Sequence, residues 1–173
     1  MPPEARRPVV RLLAVTDAQY REFARAQVIE YAREKALAGD WPEGEATERS
    51  RREHAELLAD RLRPAGHRFF AIVDLDGRAL GWIWEGPAPL GRRVEGQRWL
   101  YQITLDESVR GRGIGRAALV ALEAILAREG IRSLQLHVFR WNTIALELYR
   151  SAGYTPVCEG SSDLNLVKTF DAR

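Results

Sequence analysis

Arg110-Gly111-Arg112-Gly113-Ile114-Gly115, the hexapeptide RGRGIG, joins two stretches of different periodicity. Before it, Trp99-Leu100-Tyr101-Gln102-Ile103-Thr104-Leu105 is rich in aromatic and β-branched residues and reads as a strand. After it, Ile114, Ala117, Ala118, Ala121, Leu122, Ile125 and Leu126 recur at helical spacing and give a helix with one apolar face. Gly130 stands where such a helix stops. The first amide N–H groups of a helix lack intrahelical partners. Together with the positive end of the helix dipole, and with Arg110, Arg112 and Arg116 alongside, they favour an anion. The stretch is therefore a candidate phosphate or pyrophosphate cradle at a strand end. The plainer reading is a strand-to-helix turn with solvated arginines.

The flanking sequence supplies the other elements. Residues 9–15 form a short apolar run that reads as a first strand. Thr16-Asp17 is an N-cap signal, and Tyr20, Phe23, Ala24, Gln27, Val28 and Tyr31 keep helical spacing until Gly39. A second helix is expected over residues 45–63, closed by Pro64-Ala65-Gly66; Ser50 and Glu53 in it have capping-box spacing. Strands at 69–75 and 79–85 flank the hairpin turn Asp76-Gly77, with Trp82 and Trp84 on one face. A glycine- and proline-containing loop follows at 86–96. Ser133–Phe139 is a strand whose place after a helix implies a parallel crossover to the 99–105 strand. Asn142 caps a helix bearing Ile144, Ala145, Leu148, Tyr149 and Ala152, closed by Gly153. Strands at 154–158 and 163–170 complete the order βααβββαβαββ. This predicts an α/β fold: four helices flanking a mixed, mostly antiparallel sheet of about seven strands. No repeat, low-complexity segment or linker divides the chain, so residues 1–173 are expected to form a single domain.

Composition narrows the function classes. Apolar residues make up 46% and charged residues 29%, an ordinary globular balance, and the net charge is +2. The arginines are spread along helices rather than gathered in one block, which argues against a nucleic-acid partner. No apolar run approaches the roughly 18 residues of a membrane span, and the first eight residues contain no apolar core of a secretory signal. A single cysteine, Cys158, precludes an internal disulfide and fits a reducing, cytoplasmic setting. His54, His67 and Cys158 show no metal-ligand spacing, so no metal site is expected.

Three phosphate-binding motifs can be compared with the cradle. A Walker loop needs Gly-Lys followed by Ser or Thr, but Gly115 is followed by Arg116-Ala117. Gly113, Gly115 and Ala118 satisfy the G-x-G-x-x-A dinucleotide fingerprint. The next strand, however, ends Leu136-His137-Val138-Phe139-Arg140, without the carboxylate that would hold a ribose. The third match is a resemblance. Arg110-x-x-Gly113-x-Gly115 looks like the Q/R-x-x-G-x-G/A signature of the GNAT family of N-acetyltransferases. Asn142, Ala145, Leu148-Tyr149 and Gly153-Tyr154 resemble its N-x-x-A-x-x-L-Y-x-x-x-G-F/Y segment. The close resemblance covers about residues 99–154. Tyr31, Glu34-Lys35, Gly39, Trp41 and Gly81-Trp82 further resemble a bacterial branch whose members mostly lack an assigned substrate.

The resemblance implies acetyl-CoA as co-substrate and an amine as acceptor, either a small molecule or a protein amino group. It implies that Arg110, Gly111, Arg112, Gly113, Ile114, Gly115 and Arg116 hold the pyrophosphate. Ile103, Thr104 and Leu105 would pair through their backbone with the pantetheine arm, as an added strand does. The 99–105 strand would splay from Ser133–Phe139 to admit the thioester, Asn142 would contact the coenzyme, and a backbone N–H near Leu105 would face the oxyanion. Tyr149 would protonate the leaving thiolate. Spacing alone reads Tyr149 as a core residue.

His137 lies on the strand lining the splay and is the candidate base; members that acetylate protein N-termini carry Glu there. Glu107 and Val109 depart from the Pro and Tyr common in the family. Glu30, Glu34, Trp41, Glu43 and Glu45 cluster on the first helix-loop-helix, which borders the acceptor site in the family. They read either as a cation-selecting rim or as a solvated face. A non-catalytic acyl-CoA-binding module and a nicotinamide-dinucleotide binder remain as alternatives. The final strands leave an exposed edge for a homodimer.

Overall fold

In the computed structural model, residues 8–57, 65–89 and 91–170 are described. Their element order is β1 (Arg11–Ala14), α1 (Asp17–Leu37), α2 (Glu43–Leu57), β2 (Arg68–Val73), β3 (Ala79–Gly86), β4 (Gln97–Leu105), a 3-10 turn at Glu107–Val109, α3 (Ile114–Arg128), β5 (Ser133–Phe139), α4 (Thr143–Ser151), β6 (Thr155–Glu159) and β7 (Asp163–Thr169). The seven strands form one sheet in the order β1-β2-β3-β4-β5-β7-β6. Among the described residues β4 and β5 are its one parallel pair. The predicted order βααβββαβαββ is the observed one. α2 begins two residues earlier than its periodicity indicates, and the expected run beyond Leu57 to Pro64 lies outside the described residues. No described helix is long and apolar enough to cross a membrane.

Local chemistry sets the helix ends. The Thr16 hydroxyl accepts from Gln19 N–H while the Gln19 side chain accepts from Thr16 N–H, a reciprocal cap for α1. Asn142 Oδ1 accepts from Ala145 N–H at 3.1 Å and starts α4. Ser50 lies inside α2 rather than at its start. It is fully buried, and its hydroxyl donates to the Val28 carbonyl of α1 at 2.7 Å, tying the two helices together.

Apolar residues sort by face. α3 and α4 cover one side of the sheet, where Leu119, Leu122 and Leu126 pack with Ile83, Leu134, Leu136 and Leu166. On the other side Tyr20 and Phe23 of α1 meet Phe69 edge-on, and Phe69 stacks on Trp84.

Two irregularities at the centre of the sheet position the site. Pairing of β4 with β5 ends at Leu100 opposite Leu136, although β4 continues to Leu105 and β5 to Phe139. At that same point Trp84 faces Gln102 while Glu85 faces Leu100, so Tyr101 is an extra residue in β4. A bulge of this kind bends and twists its strand, here where the neighbouring pairing stops. Glu85, fully buried beside the bulge, is held by Arg68 and by Arg98 Nε at 2.7 Å.

Candidate active site

The diverging ends of β4 and β5 open a groove of about 790 Å³ that passes between the α3/α4 and α1/α2 sides. Of the residues expected at a coenzyme or catalytic site, Ile103, Thr104, Leu105, Arg110, Gly115, His137, Asn142 and Tyr149 line it. Gly111, Arg112, Gly113, Ile114 and Arg116 sit on the turn at one end without lining the groove, and Arg112 and Arg116 are exposed.

The turn has the geometry of an anion cradle. Gly113 is the N-cap of α3 at φ 78°, left-handed backbone that glycine adopts without strain. It offers no side-chain cap, and the first intrahelical bond is Ala117 N–H to Gly113 O at 3.0 Å. The N–H groups of Ile114, Gly115 and Arg116 therefore have no partner among the described residues. Gly115 is buried, and a Cβ there would come within 3.2 Å of Leu148. Arg110 turns back on β4, its Nε donating to the Leu105 carbonyl at 3.0 Å.

The β4 edge supplies the next contacts. Asp106 N–H donates to Leu80 O of β3 at 2.9 Å, and Thr104 lies opposite Trp82. Alternation along a strand then turns the backbone groups of Thr104 toward β3 and those of Ile103 and Leu105 into the splay. With the Leu105 carbonyl engaged by Arg110, both polar groups of Ile103 and the Leu105 N–H are left pointing into the splay.

Tyr149 projects from α4 into the same cleft. It is 7% exposed and meets Tyr154 edge-on at 5.8 Å. Burial pushes the phenol's pKa well up, and the charge of Glu34 adds to the rise. Tyr154 is held in turn by its hydroxyl, which donates to Glu123 at 3.0 Å. His137 is half-buried, with Nε2 3.0 Å from Asp163 Oδ2 and its ring edge-on to Phe139 at 4.9 Å.

The α1/α2 wall carries Glu30, Tyr31, Glu34, Glu53 and His54, with Trp84 and Tyr101 from the sheet. Glu34 is half-buried, and desolvation followed by the charge of Glu30 pushes its carboxyl up to about 7. His54 Nδ1 lies 3.0 Å from Ser50 O, and burial lowers its pKa. Tyr101 stacks on Trp84 at 4.6 Å and donates to Pro87 O at 2.8 Å; burial pushes its phenol up to about 12 against the pull of Arg93 and Arg98.

Of the cluster expected on the first helix-loop-helix, Glu30 and Glu34 reach the groove. Trp41, Glu43 and Glu45 do not line it: Trp41 packs edge-on against Tyr31 at 5.6 Å, and Glu45 pairs with Arg49 at 2.7 Å. His67 stands apart from the groove lining, accepting from Trp84 Nε1 at 2.9 Å, and burial brings its pKa down to about 4.

Sequence reading left Glu34 undistinguished within that cluster and did not single out Tyr101 or Glu53. A signal for Glu34 exists. The inward stripe of α1 runs Tyr20, Phe23, Gln27, Tyr31, Glu34, passing from apolar to polar along one face. A carboxylate at the end of a buried stripe is different from one on a solvated face.

Comparison with known proteins agrees with this geometry. The Acetyltransferase (GNAT) family model matches residues 26–154. The chain is 30% identical to the uncharacterized N-acetyltransferase YdgE of Bacillus subtilis strain 168 over 140 residues, 81% of this chain and 88% of that one. Against YycN of the same organism it is 29% identical over 145 residues, 84% and 92% of the two chains. The YycN crystal structure superposes with a TM-score of 0.81, covering 89% of this chain and 97% of that one. The N-acetyltransferase PaiA of Thermoplasma acidophilum, solved in complex with coenzyme A, shares the fold at TM-score 0.69 and 17% identity, covering 93% and 99%. With the family model over both signature segments and the groove between them, the chain belongs to the GNAT family of N-acetyltransferases, whose co-substrate is acetyl-CoA.

Proposed function

We propose that this enzyme is a single N-acetyltransferase domain that transfers the acetyl group by direct attack of an amine on the thioester, with Tyr149 as the proton donor to the departing sulfur. The observation that carries the reading is the splay itself. It connects the uncapped start of α3 to the Tyr149 hydroxyl along a β4 edge with open backbone groups. The free N–H groups of Ile114, Gly115 and Arg116, with Arg110 beside them, suit the pyrophosphate. Ile103 and Leu105 suit the amide-bearing arm as an added strand, and Asn142, whose Oδ1 is taken by its own cap, keeps its amide N–H groups for the coenzyme.

The acetyl thioester supplies an electrophilic carbon and a thiolate leaving group; the chain's own residues manage protons and orientation. A tyrosine phenol is protonated at neutral pH, and burial, which pushes the Tyr149 pKa further up, keeps it so, as a donor requires. The Leu105 N–H, on the splayed edge, is the backbone donor best placed for the developing oxyanion. On the acceptor side Glu34, whose carboxyl is pushed up to about 7, and His137 both line the groove and are the candidate bases. The lone cysteine, exposed Cys158, fits a cytoplasmic setting.

The test is thiol release from acetyl-CoA across a panel of small amines and peptides. Turnover that depends on acceptor supports the reading. Tight coenzyme A binding without turnover on any acceptor class would instead leave an acyl-CoA-binding module.

A further inference from the structure

We propose that Glu34 takes the proton from the acceptor's ammonium group, and that the acceptor is a strongly basic alkylamine that arrives in its charged form. This rests on the acetyltransferase reading above and names its base and substrate class.

Glu34 ends the inward stripe of α1 and lines the same groove as Tyr149, close enough for its charge to act on that phenol. No cation pairs with it among the described residues. Its neighbour Lys35 is drawn away, 2.9 Å from Asp40 and over the ring of Phe139 at 5.3 Å. The other titratable or charged groups lining the groove are Glu30, Tyr31 and Arg33 on α1, Glu53 and His54 on α2, Arg92 before β4, Tyr101 on β4, Arg110 after it, His137 on β5 and Tyr149 on α4. The charge of Glu53 acts on the Tyr31 phenol, and Glu30 lies one turn from Glu34, where its charge opposes ionisation of that carboxyl. A desolvated carboxyl facing another acid and no cation is completed by a cationic guest. His137 is the competing base: Asp163 engages its Nε2 at 3.0 Å, which leaves Nδ1 as the nitrogen that could accept a proton, and the experiment below separates it from Glu34.

The ammonium gives one proton to the Glu34 carboxylate, and the freed nitrogen attacks the acetyl carbon. As the carbon–sulfur bond breaks, the thiolate takes the Tyr149 proton. The second proton lost by the nitrogen restores the phenol, and Glu34 releases its proton to water. An amine already neutral at pH 7 bypasses the first of these steps, so only strongly basic acceptors require Glu34.

The experiment measures kcat/KM against pH for the wild type, Glu34→Gln and His137→Gln, using a series of alkyl mono- and diamines and aniline as a weakly basic control. The wild type should prefer the alkylamines and show an acid limb near pH 7. Glu34→Gln should lower the alkylamine rate about 10²–10⁴-fold, the usual worth of a general base. It should abolish the limb and slow aniline far less, with the thermal shift by coenzyme A unchanged. His137→Gln should keep the limb. A limb that survives Glu34→Gln and disappears with His137→Gln overturns the assignment, as does an equal loss for both amine classes. A wild type that prefers weakly basic amines overturns the substrate class. A wild type that binds coenzyme A and acetylates no amine removes the acetyltransferase reading itself, a distinguishable failure.

Discussion

At the residue scale, the proposed proton donor Tyr149 and the proposed base Glu34 differ in what they do to stability. Removing the Tyr149 hydroxyl keeps the ring and its edge-on contact with Tyr154. Tyr149→Phe should therefore leave the unfolding temperature within about 2 °C while lowering kcat by about 10²-fold or more. Thermal melts and steady-state thiol release check the two halves of that statement. Glu34 carries a stability penalty where it is useful. Its folded pKa is raised from 4.5 to about 7, so folding favours the neutral acid. That contribution is fully present below pH 4.5 and is lost as pH rises through about 7. Glu34→Gln should accordingly raise the unfolding temperature at pH 8 and leave it unchanged at pH 4; a melt series across pH reads this directly. Tyr149 and Arg110 could be picked out from motif spacing. Glu34 stood only among the residues that resemble a bacterial branch, with no role attached, because most helix carboxylates are solvated, and only the docking of α1 across the open end of the sheet turns this one inward.

At the element scale, the site depends on β4 parting from β5. The extra residue Tyr101 bends β4 where its pairing to β5 stops, and the buried Glu85 beside it ties β2, β3 and β4 through Arg68 and Arg98. Removing one partner of a buried charge cluster leaves the others uncompensated. Glu85→Ala should destabilise the fold by about 3–5 kcal/mol, measured by urea unfolding. Apolar periodicity was enough to order the elements, since each strand and helix announces its own buried face. The α3 stripe predicted the helix packed at the sheet centre, and Asn142 and Gly153 bracketed α4. The bulge was not legible. It is a mismatch in register between β3 and β4, and neither strand carries that relation in its own sequence. The splay could be expected only from family resemblance, for the same reason.

At the scale of the whole molecule, one sheet joins the uncapped turn before α3 on one side to an acidic and aromatic wall on the other, the two ends of the proposed reaction path. The outer edge of that sheet, β6, is exposed along its length but carries Pro156 and a register shift before Cys158. Both features discourage strand addition, so a homodimer across this edge would lack a continuous ladder. Ligand choice separates the surviving alternatives. A ligand that binds only the folded state stabilises it by about 2.7 kcal/mol at a hundred times its Kd. Coenzyme A should therefore raise the unfolding temperature in a concentration-dependent way, and NAD at the same concentrations should not.

The most direct measurement is a crystal structure with coenzyme A bound. The account predicts the pyrophosphate on the amides of Ile114, Gly115 and Arg116, the pantetheine arm hydrogen-bonded to Ile103 and Leu105, and the sulfur within reach of the Tyr149 hydroxyl. A coenzyme bound elsewhere, or with its sulfur directed away from Tyr149, would contradict it.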